Sequence, residues 1–289
     1  MRFHKILAVV TLLASVSLIG SCAIPQPRFE CNTLAPFFAF YTLEEGDPAS
    51  SCGGFGGDYL QTQRYLAPNS TDARLALLPY RVGYLTGLGN SDPDDPKGAR
   101  ESSIGHFETL LPDDDGVCRL VNVADGRQNF RPLLNEDGDE VEPSFEVTYK
   151  WDSVRVLSTA EFPGTLIDGK VTITQTDSSG SCTAKYGFYG VHTSSPATFD
   201  IVVCDPLKTT MRDGQEYNPD CDANADPAND RPLGAGTNAA YQPRCIKLAG
   251  SADEASSRLG ADLSPSTDPD YHQMGICGPT LTIDQLLSR

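Results

Sequence analysis

The sequence lacks the short motifs that mark many enzymes. It contains no HExxH, GxSxG or CxxC pattern, which argues against a zinc protease, an α/β-hydrolase and a zinc ribbon or thioredoxin-type redox pair. Histidine is scarce, and the three histidines beyond the N-terminal segment, His106, His192 and His272, are far apart in the chain. We therefore assign no catalytic residue and favour a non-enzymatic role.

The chain also has few positively charged residues relative to its negatively charged ones. The chain carries 22 Lys and Arg residues against 39 Asp and Glu residues, and its net charge is −17. Because nucleic acids are bound mainly through Lys and Arg contacts to phosphate, this balance argues against a nucleic-acid partner. It argues equally against electrostatic adsorption to anionic lipid. The acidic surface is typical of an exported domain that is kept in solution by its charge.

Long apolar runs are confined to the N-terminus. Arg2 and Lys5 flank the start of an apolar run over residues 6–19, which is the layout of a secretory signal. The run is shorter than the roughly 20 residues that a membrane span requires. We therefore expect residues 1–21 to be removed as a signal peptide.

This segment ends in LIGSC, Leu18–Cys22, which resembles the lipobox of bacterial lipoproteins. The resemblance implies that Cys22 becomes the first residue, that its thiol receives a diacylglyceryl group and that its amino group takes a fatty acid such as palmitate. Two or three acyl chains hold a protein stably on a membrane. Residues 22–30 then form a tether, and Ala23 favours the outer membrane under the sorting rule of enteric lipoproteins. The alternative is an ordinary signal with a chance cysteine.

Lipidation of Cys22 would leave an even number of cysteines, which predicts a disulfide framework in an exported protein. The eight candidates are Cys31, Cys52, Cys118, Cys182, Cys204, Cys221, Cys245 and Cys277. Eight cysteines allow about 105 pairings, so sequence leaves the connectivity open. The pairings that we favour, from loop length and then by elimination, are Cys31–Cys52, Cys182–Cys204, Cys221–Cys245 and Cys118–Cys277.

Strand patterns dominate the middle of the chain. The aromatic run at residues 37–43 favours a strand, and FEVTYKW at residues 145–151 alternates apolar and polar side chains, as a half-buried antiparallel strand does. The apolar phase then shifts to Val154 and Val156, which indicates a bulge or a break near Asp152-Ser153. Asp168-Gly169 predicts a tight hairpin. We also expect residues 182–193 and 198–204 to pair as strands.

These patterns predict a mainly β protein. We expect an antiparallel sandwich or barrel-like domain over residues 31–204, stapled by disulfides, and a loop-rich, disulfide-pinned C-terminal extension over residues 205–289. Strand number alone does not separate the sandwich from the barrel. Helices are predicted only in short segments, at residues 251–259, where a capping-box spacing occurs, and at residues 281–289.

A possible metal site lies in the extension. Asp220, Asp222, Asn224 and Asp226 occupy positions 1, 3, 5 and 7 of a segment that resembles EF-hand and thrombospondin-type calcium loops, and calcium prefers such oxygen ligands. The segment departs from the EF-hand pattern because position 6 is Ala225 and position 12 is Arg231. The interpretation that competes with a calcium site is a solvated acidic loop.

A wider resemblance covers most of residues 29–250. FECNTLAPFFAFYTL at residues 29–43, CTAKYGFYGVHT at residues 182–193 and the late cysteine-containing tail resemble a group of cysteine-paired lipoproteins of myxobacteria. This resemblance implies a location in the cell envelope, and it transfers no activity and no catalytic residue.

Our leading hypothesis is a lipid-anchored envelope protein that acts as a binding or structural module. Its partner would be a protein, a glycan or a small molecule. Two alternatives stay open: an envelope hydrolase whose site assembles only in three dimensions, and a calcium-dependent adhesin. The hydrolase would require His106 or His192 in a pocket beside a carboxylate and a serine.

Overall fold

The structure, a computed structural model, describes residues 29–66, 70–87, 89–95, 97–192, 203–205, 208, 210–212, 215–222, 243–247, 275–278 and 282–288. Within these ranges, no helix has the length and apolar character needed to cross a membrane.

Strands account for most of the ordered elements up to residue 192. In chain order these elements are β1 (Phe37–Glu45), β2 (Gly57–Leu66), β3 (Ala73–Pro79), α1 (Tyr80–Gly87), β4 (Ser103–Phe107), β5 (Val117–Val121), β6 (Gly126–Phe130), β7 (Leu133–Leu134), β8 (Glu140–Glu142), β9 (Phe145–Ser158), β10 (Pro163–Asp177) and β11 (Gly180–His192). The prediction of a mainly β protein is confirmed.

The main sheet closes on itself into a barrel. Its nine strands follow the order β10-β11-β1-β2-β3-β4-β5-β9-β6, and a further pairing of β9 with β10 joins the two ends. Eight strands therefore form an antiparallel ring in which each strand is paired on both sides. The ninth strand, β6, pairs with the first half of β9. A ring of this size has an interior just wide enough for side chains to fill. The β9–β10 pairing decides between the sandwich and the barrel that the sequence left open.

Aromatic side chains pack in the barrel interior. The ring centroid of Trp151 lies 5.2 Å from that of Phe188 and 6.5 Å from that of Tyr149. The indole Nε1 of Trp151 donates a hydrogen bond to Ser103 Oγ at 2.9 Å, so the polar atom of this buried ring is satisfied. Burial of this core is the main source of the barrel's stability.

One carboxyl group lies inside the barrel. Asp58 of β2 is 4% exposed and accepts a hydrogen bond from the backbone N–H of Tyr80, the first residue of α1, at 3.1 Å. Burial raises the pKa of Asp58 to about 8, although backbone hydrogen bonds from Tyr80 and Tyr59 and the charge of Arg81 oppose the rise. The group therefore accepts a hydrogen bond from a backbone N–H of the first helical turn and holds its proton at neutral pH.

The predicted alternation in β9 is confirmed, together with its interruption. Phe145, Val147, Tyr149 and Trp151 are all buried. Trp151 pairs with Val171 and Ser153 pairs with Lys170, so that one residue of β9 has no partner in β10. That residue is Asp152, and it forms the predicted bulge.

The predicted hairpin at Asp168-Gly169 is wrong, because β10 runs through both residues. Gly169 lies beside the bulge with a φ of 156°, and a Cβ atom there would sit 2.0 Å from the carbonyl oxygen of Ser153. The glycine is therefore required by close approach of β9 and not by a turn. The chain reverses instead between Asp177 and Gly180, which pair at the end of the β10–β11 hairpin.

Short elements follow the barrel. They are β12 (Val203–Cys204), β13 (Thr210–Arg212), β14 (Gln215–Tyr217), β15 (Arg244–Lys247), β16 (Gly275–Gly278) and α2 (Ile283–Leu287). The strands β12, β16 and β15 form a small sheet, and β13 pairs with β14. The boundary between residues 204 and 205 stays a prediction.

The terminal helix is confirmed, since α2 has a complete capping box between Thr282 and Gln285. The helix predicted at residues 251–259 lies outside the described residues. The expected pairing of residues 182–193 with 198–204 is wrong for the described residues, because β11 is paired with β1 and β10 on its two sides and β12 pairs with β16. Residues 198–202 lie outside the described residues.

All eight predicted cysteines form disulfides, but each of the four favoured pairings is wrong. The bonds are Cys31–Cys118, Cys52–Cys182, Cys204–Cys245 and Cys221–Cys277. The first two join parts of the barrel that are 87 and 130 residues apart in the chain. Closure of the ring brings these distant segments together, and similar loop lengths in the sequence carry no information about that closure.

Candidate binding groove on the barrel wall

A groove of about 600 Å³ lies on the outside of the barrel. Its floor is formed by neighbouring strands β9, β10, β11 and β1, and α2 contributes one wall. The lining residues are Thr42, Glu44, Ser153, Arg155, Asp168, Gly169, Lys170, Gly187, Phe188, Tyr189, Thr282 and Asp284.

Strand register aligns the outward-facing side chains of the floor in rows. In one row Arg155 of β9 is opposite Asp168 of β10, which is opposite Tyr189 of β11, which is opposite Phe40 of β1. Side chains directly opposite one another on one face of a sheet are close enough to interact. Accordingly, Arg155 binds Asp168, and the ring of Tyr189 stacks on Phe40 with centroids 5.1 Å apart.

The adjacent row contains the opening of the groove. Ser153, Lys170, Gly187 and Thr42 are aligned across the same four strands. Gly187 contributes no side chain, so it leaves a gap between the side chains of Lys170 and Thr42. Lys170 Nζ lies 2.8 Å from both carboxylate oxygens of Glu44, which places a charge pair at the edge of this opening.

Arg155 is the electrostatic centre of the groove. Its Nε and Nη2 donate to the two carboxylate oxygens of Asp168 at 2.8 Å each. Its Nη1 and Nη2 donate to the two oxygens of Asp284 at 2.8 and 3.1 Å. One guanidinium therefore binds two carboxylates in bidentate geometry, one from the barrel and one from α2.

The two carboxylates differ in their surroundings. The side chain of Asp168 is 8% exposed and that of Asp284 is 71% exposed. Burial raises the pKa of Asp168, and the guanidinium of Arg155 opposes that rise. Hydrogen bonds from Arg155 lower the pKa of Asp284, which has little burial to overcome. Asp168 is thus a fixed part of the barrel wall, whereas Asp284 reaches the same cation from solvent.

The helix α2 is attached to the barrel through one apolar side chain. Ile283 is fully buried, and α2 makes its contacts with β10. The neighbouring Asp284 then falls against Arg155. A helix of five residues is too short to persist alone in water, so its position depends on these two contacts and on its cap.

A second concavity of about 640 Å³ lies elsewhere on the barrel, against residues 108–113. Asp113 there accepts hydrogen bonds from the backbone N–H groups of Val117 and Asp115 at 2.8 and 3.1 Å and forms an ion pair with Arg119. The carboxylate of Asp113 therefore stabilises the turn at residues 113–117. The residues that line this concavity include no histidine.

Neither described histidine lies in these two concavities. His106 Nδ1 is 2.5 Å from Asp72 Oδ1, and Arg74 binds the same carboxylate, so that hydrogen bonds from His106 and Arg74 lower the pKa of Asp72. His192 Nδ1 is 3.1 Å from the carbonyl oxygen of Pro36, and His272 lies outside the described residues. Neither of these two concavities therefore brings a serine, a histidine and a carboxylate together.

The predicted calcium ligands fall only partly within the described residues. Asp220 Oδ2 accepts a hydrogen bond from the backbone N–H of Asp205 at 3.0 Å and lies 3.7 Å from Lys208 Nζ. Asp222 follows a short 3₁₀ helix at Pro219–Cys221. Asn224 and Asp226 lie outside the described residues. Calcium binding at this loop stays a prediction.

Comparison with known proteins identifies the family. The MlpA family model matches residues 35–193, which is more than half of the chain and spans β1 to β11. This protein belongs to the MlpA family. The chain is also similar to a protein of Myxococcus xanthus described as "Putative lipoprotein MlpA", with 25% identity over 210 residues that cover 69% of this chain and 80% of that protein. No solved structure matches the chain significantly.

Membership of the MlpA family confirms the resemblance to myxobacterial lipoproteins and supports a lipoprotein associated with the cell envelope. The family match ends at residue 193, so it includes the strands of the groove floor and excludes α2. The groove of this MlpA-family protein thus combines strands within the family match with a C-terminal helix beyond it.

The sequence did not reveal the groove. The alternation of β9 places Arg155 on the outer face, but its pairing with Asp168 depends on strand register and on the bulge at Asp152. No pattern in the sequence marks Gly187 as part of a binding site. The strongest signal at this site, Asp168-Gly169, was interpreted as a turn.

Proposed function

We propose that this protein is a lipid-anchored component of the bacterial cell envelope that works as a binding module. The anchor is the acylated Cys22, and Ala23 favours the outer membrane as its location. Membership of a lipoprotein family supports the anchor. The acidic, histidine-poor composition supports binding over hydrolysis.

The groove on the barrel wall is the proposed binding site, and its shape and composition carry this proposal. Its volume of about 600 Å³ falls within the roughly 300–1,000 Å³ of ligand pockets. Cationic, anionic and aromatic side chains converge there, in Arg155, Asp168 and Tyr189. These side chains stand on strands that are hydrogen-bonded on both sides, and such rigid elements hold binding groups in a defined geometry.

Filling the groove tests the proposed site. In G187L, the new Cβ would lie 3.0 Å from Glu44 Oε1, the end of a flexible side chain, so the fold tolerates the change. The matched control is G87L at the end of α1, where a Cβ has no neighbour within 4 Å. Wild-type protein, G187L and G87L are applied to an array of envelope polysaccharides and peptidoglycan fragments.

We expect wild type and G87L to bind the same probes, and G187L to lose at least tenfold in affinity for them. Equal binding by G187L would show that the ligand binds elsewhere. Absence of binding to every probe by wild type would contradict a glycan-binding role for the groove.

The anchor is tested separately by intact mass measurement after expression in a bacterium that processes lipoproteins. We expect the wild-type chain to begin at residue 22 and to carry the added mass of a diacylglyceryl group and an amide-linked acyl chain. The C22S variant should carry neither and should leave the membrane fraction. A wild-type chain without acyl mass would contradict the anchor and leave the groove proposal untouched.

A further inference from the structure

We infer that the groove binds an acidic saccharide whose carboxylate replaces Asp284 on Arg155. This inference rests on the proposed binding function of the groove and specifies its ligand class. Asp284 acts as an internal stand-in for the carboxylate of the ligand, so the C-terminal helix competes with the ligand for the same cation.

The geometry at Arg155 defines the recognition chemistry. Two hydrogen bonds to the buried Asp168 fix the plane of the guanidinium. Its remaining edge binds Asp284 through Nη1 and Nη2. A guanidinium presented edge-on in this way matches a planar carboxylate better than a point charge does. Replacement of Asp284 by the carboxylate of a ligand would preserve both the hydrogen bonds and the charge balance.

Asp284 is a weak occupant of this position. Its side chain is 71% exposed, so water and salt screen its ion pair more than they screen the buried pair of Arg155 with Asp168. The five-residue helix that carries it has one fully buried side chain, that of Ile283. A ligand therefore has little to overcome in order to displace it, whereas the buried contact with Asp168 stays in place.

The remainder of the groove fits a sugar. Hydroxyl groups of Thr42 and Ser153, the carboxylate of Glu44 and the ammonium of Lys170 offer both donors and acceptors around the gap left by Gly187. The half-buried ring of Tyr189, backed by Phe40, supplies a rigid apolar surface with a polar tip. A ligand with many hydroxyl groups on a compact ring would satisfy these groups together.

A peptide fits the groove less well. Peptides that add to a sheet need an unpaired strand edge, and all four strands of the floor are paired on both sides. Peptides that dock as helices need an extended apolar groove, and this groove is rich in charged and hydroxyl side chains. An acidic peptide is therefore the less favoured ligand, and the experiment includes one as a probe.

The experiment measures the binding of trigalacturonate to the lipidated protein in nanodiscs. The matched probe is the methyl-esterified trimer, which has the same sugars without the carboxylates. The variants are D284N, which removes the competing charge with little change of shape, and R155Q, which removes the cation. G187L and G87L are included, so that the groove as a site is tested in the same series. An acetylated peptide of residues 282–288 serves as the acidic peptide probe.

We expect wild type to bind trigalacturonate, and D284N to bind it about two- to fivefold more tightly, in line with the small contribution of an exposed ion pair. R155Q should lose binding at least tenfold, and the methyl ester should bind at least tenfold more weakly. Thermal melting of each variant verifies that the barrel is intact.

Several results would overturn the inference. Unchanged or weaker binding by D284N would show that Asp284 does not compete, and equal binding of the ester would show that the carboxylate is not recognised. Tighter binding of the peptide than of either saccharide would assign the groove to a protein partner. If the ester or the peptide binds in place of trigalacturonate and G187L abolishes that binding, the groove is the binding site but its ligand is not an acidic saccharide. If G187L binds the ligand as tightly as wild type does, both the proposed groove site and the inferred acidic saccharide are contradicted.

Discussion

The barrel and the C-terminal part are stabilised in different ways. The barrel has strands of up to 15 residues closed into a ring around a large cluster of buried apolar side chains. The C-terminal sheet has strands of two to four residues, and its described buried cluster consists of Cys204, Cys221 and Cys277 with Cys245 packed against them. Burial of apolar surface is the main stabilising contribution in the first region, whereas among its described residues the second is held mainly by covalent bonds.

The largest expected effect is the loss of the C-terminal sheet without its disulfides. We expect a variant with Ser at Cys204, Cys221, Cys245 and Cys277 to lose all amide exchange protection at Ile246, since three short strands cannot persist alone. Amides of the β10–β11 hairpin should stay protected. The control, with Ser at Cys31 and Cys118, should lower the free energy of barrel unfolding by about 2–5 kcal/mol and leave its fold intact. Persistent protection at Ile246 in the fourfold variant would contradict the comparison.

The next effect concerns the bulge in the barrel wall. We expect G169A to lower the free energy of unfolding by about 3 kcal/mol, because its Cβ would lie 2.0 Å from a backbone oxygen. The matched control is G180A, which has a similar φ of 146° but no neighbour within 4 Å, and it should cost about 1 kcal/mol. Urea unfolding measures both. Equal losses would show that backbone conformation, and not the contact with β9, requires the glycine.

A smaller effect concerns the carboxyl group in the barrel interior. The pKa of Asp58 rises from 3.8 to about 8 on folding, so between these values the unfolded state binds fewer protons and the contribution of Asp58 to stability falls as pH rises. D58N lacks this dependence. Relative to wild type, D58N should gain about 2 kcal/mol between pH 5 and pH 7, measured by urea unfolding at each pH. A difference that does not change with pH would contradict burial of a neutral carboxyl.

The smallest expected effect concerns α2, the C-terminal helix that contacts the barrel. We expect I283A to release α2 from the barrel, so that amides of residues 283–287 exchange at the rate of an unfolded chain. The free energy of barrel unfolding should change by less than about 1 kcal/mol, because local release limits the loss. A larger change would mean that α2 is part of the cooperative unit of the barrel.

The same contrast explains what was predictable from sequence. Apolar alternation correctly located β9 and its bulge, and an aromatic run located β1, because burial of strand residues leaves a local pattern. The short terminal helix was also predicted from its own segment, although its capping box at Thr282 and Gln285 was not. Disulfide pairings and the row that joins Arg155 to Asp168 and Tyr189 depend on ring closure and strand register. Those contacts join residues distant in the chain, and no local pattern encodes them.

The central claim is that the barrel wall and the C-terminal helix share one binding groove. Hydrogen exchange of the lipidated protein in nanodiscs, with and without trigalacturonate, tests it most directly. We predict slower exchange at residues 185–191 of β11, faster exchange at residues 282–288 as Asp284 is displaced, and no change at residues 108–119 beside the second concavity. Unchanged exchange at β11 and α2, or a change confined to residues 108–119, would contradict the claim.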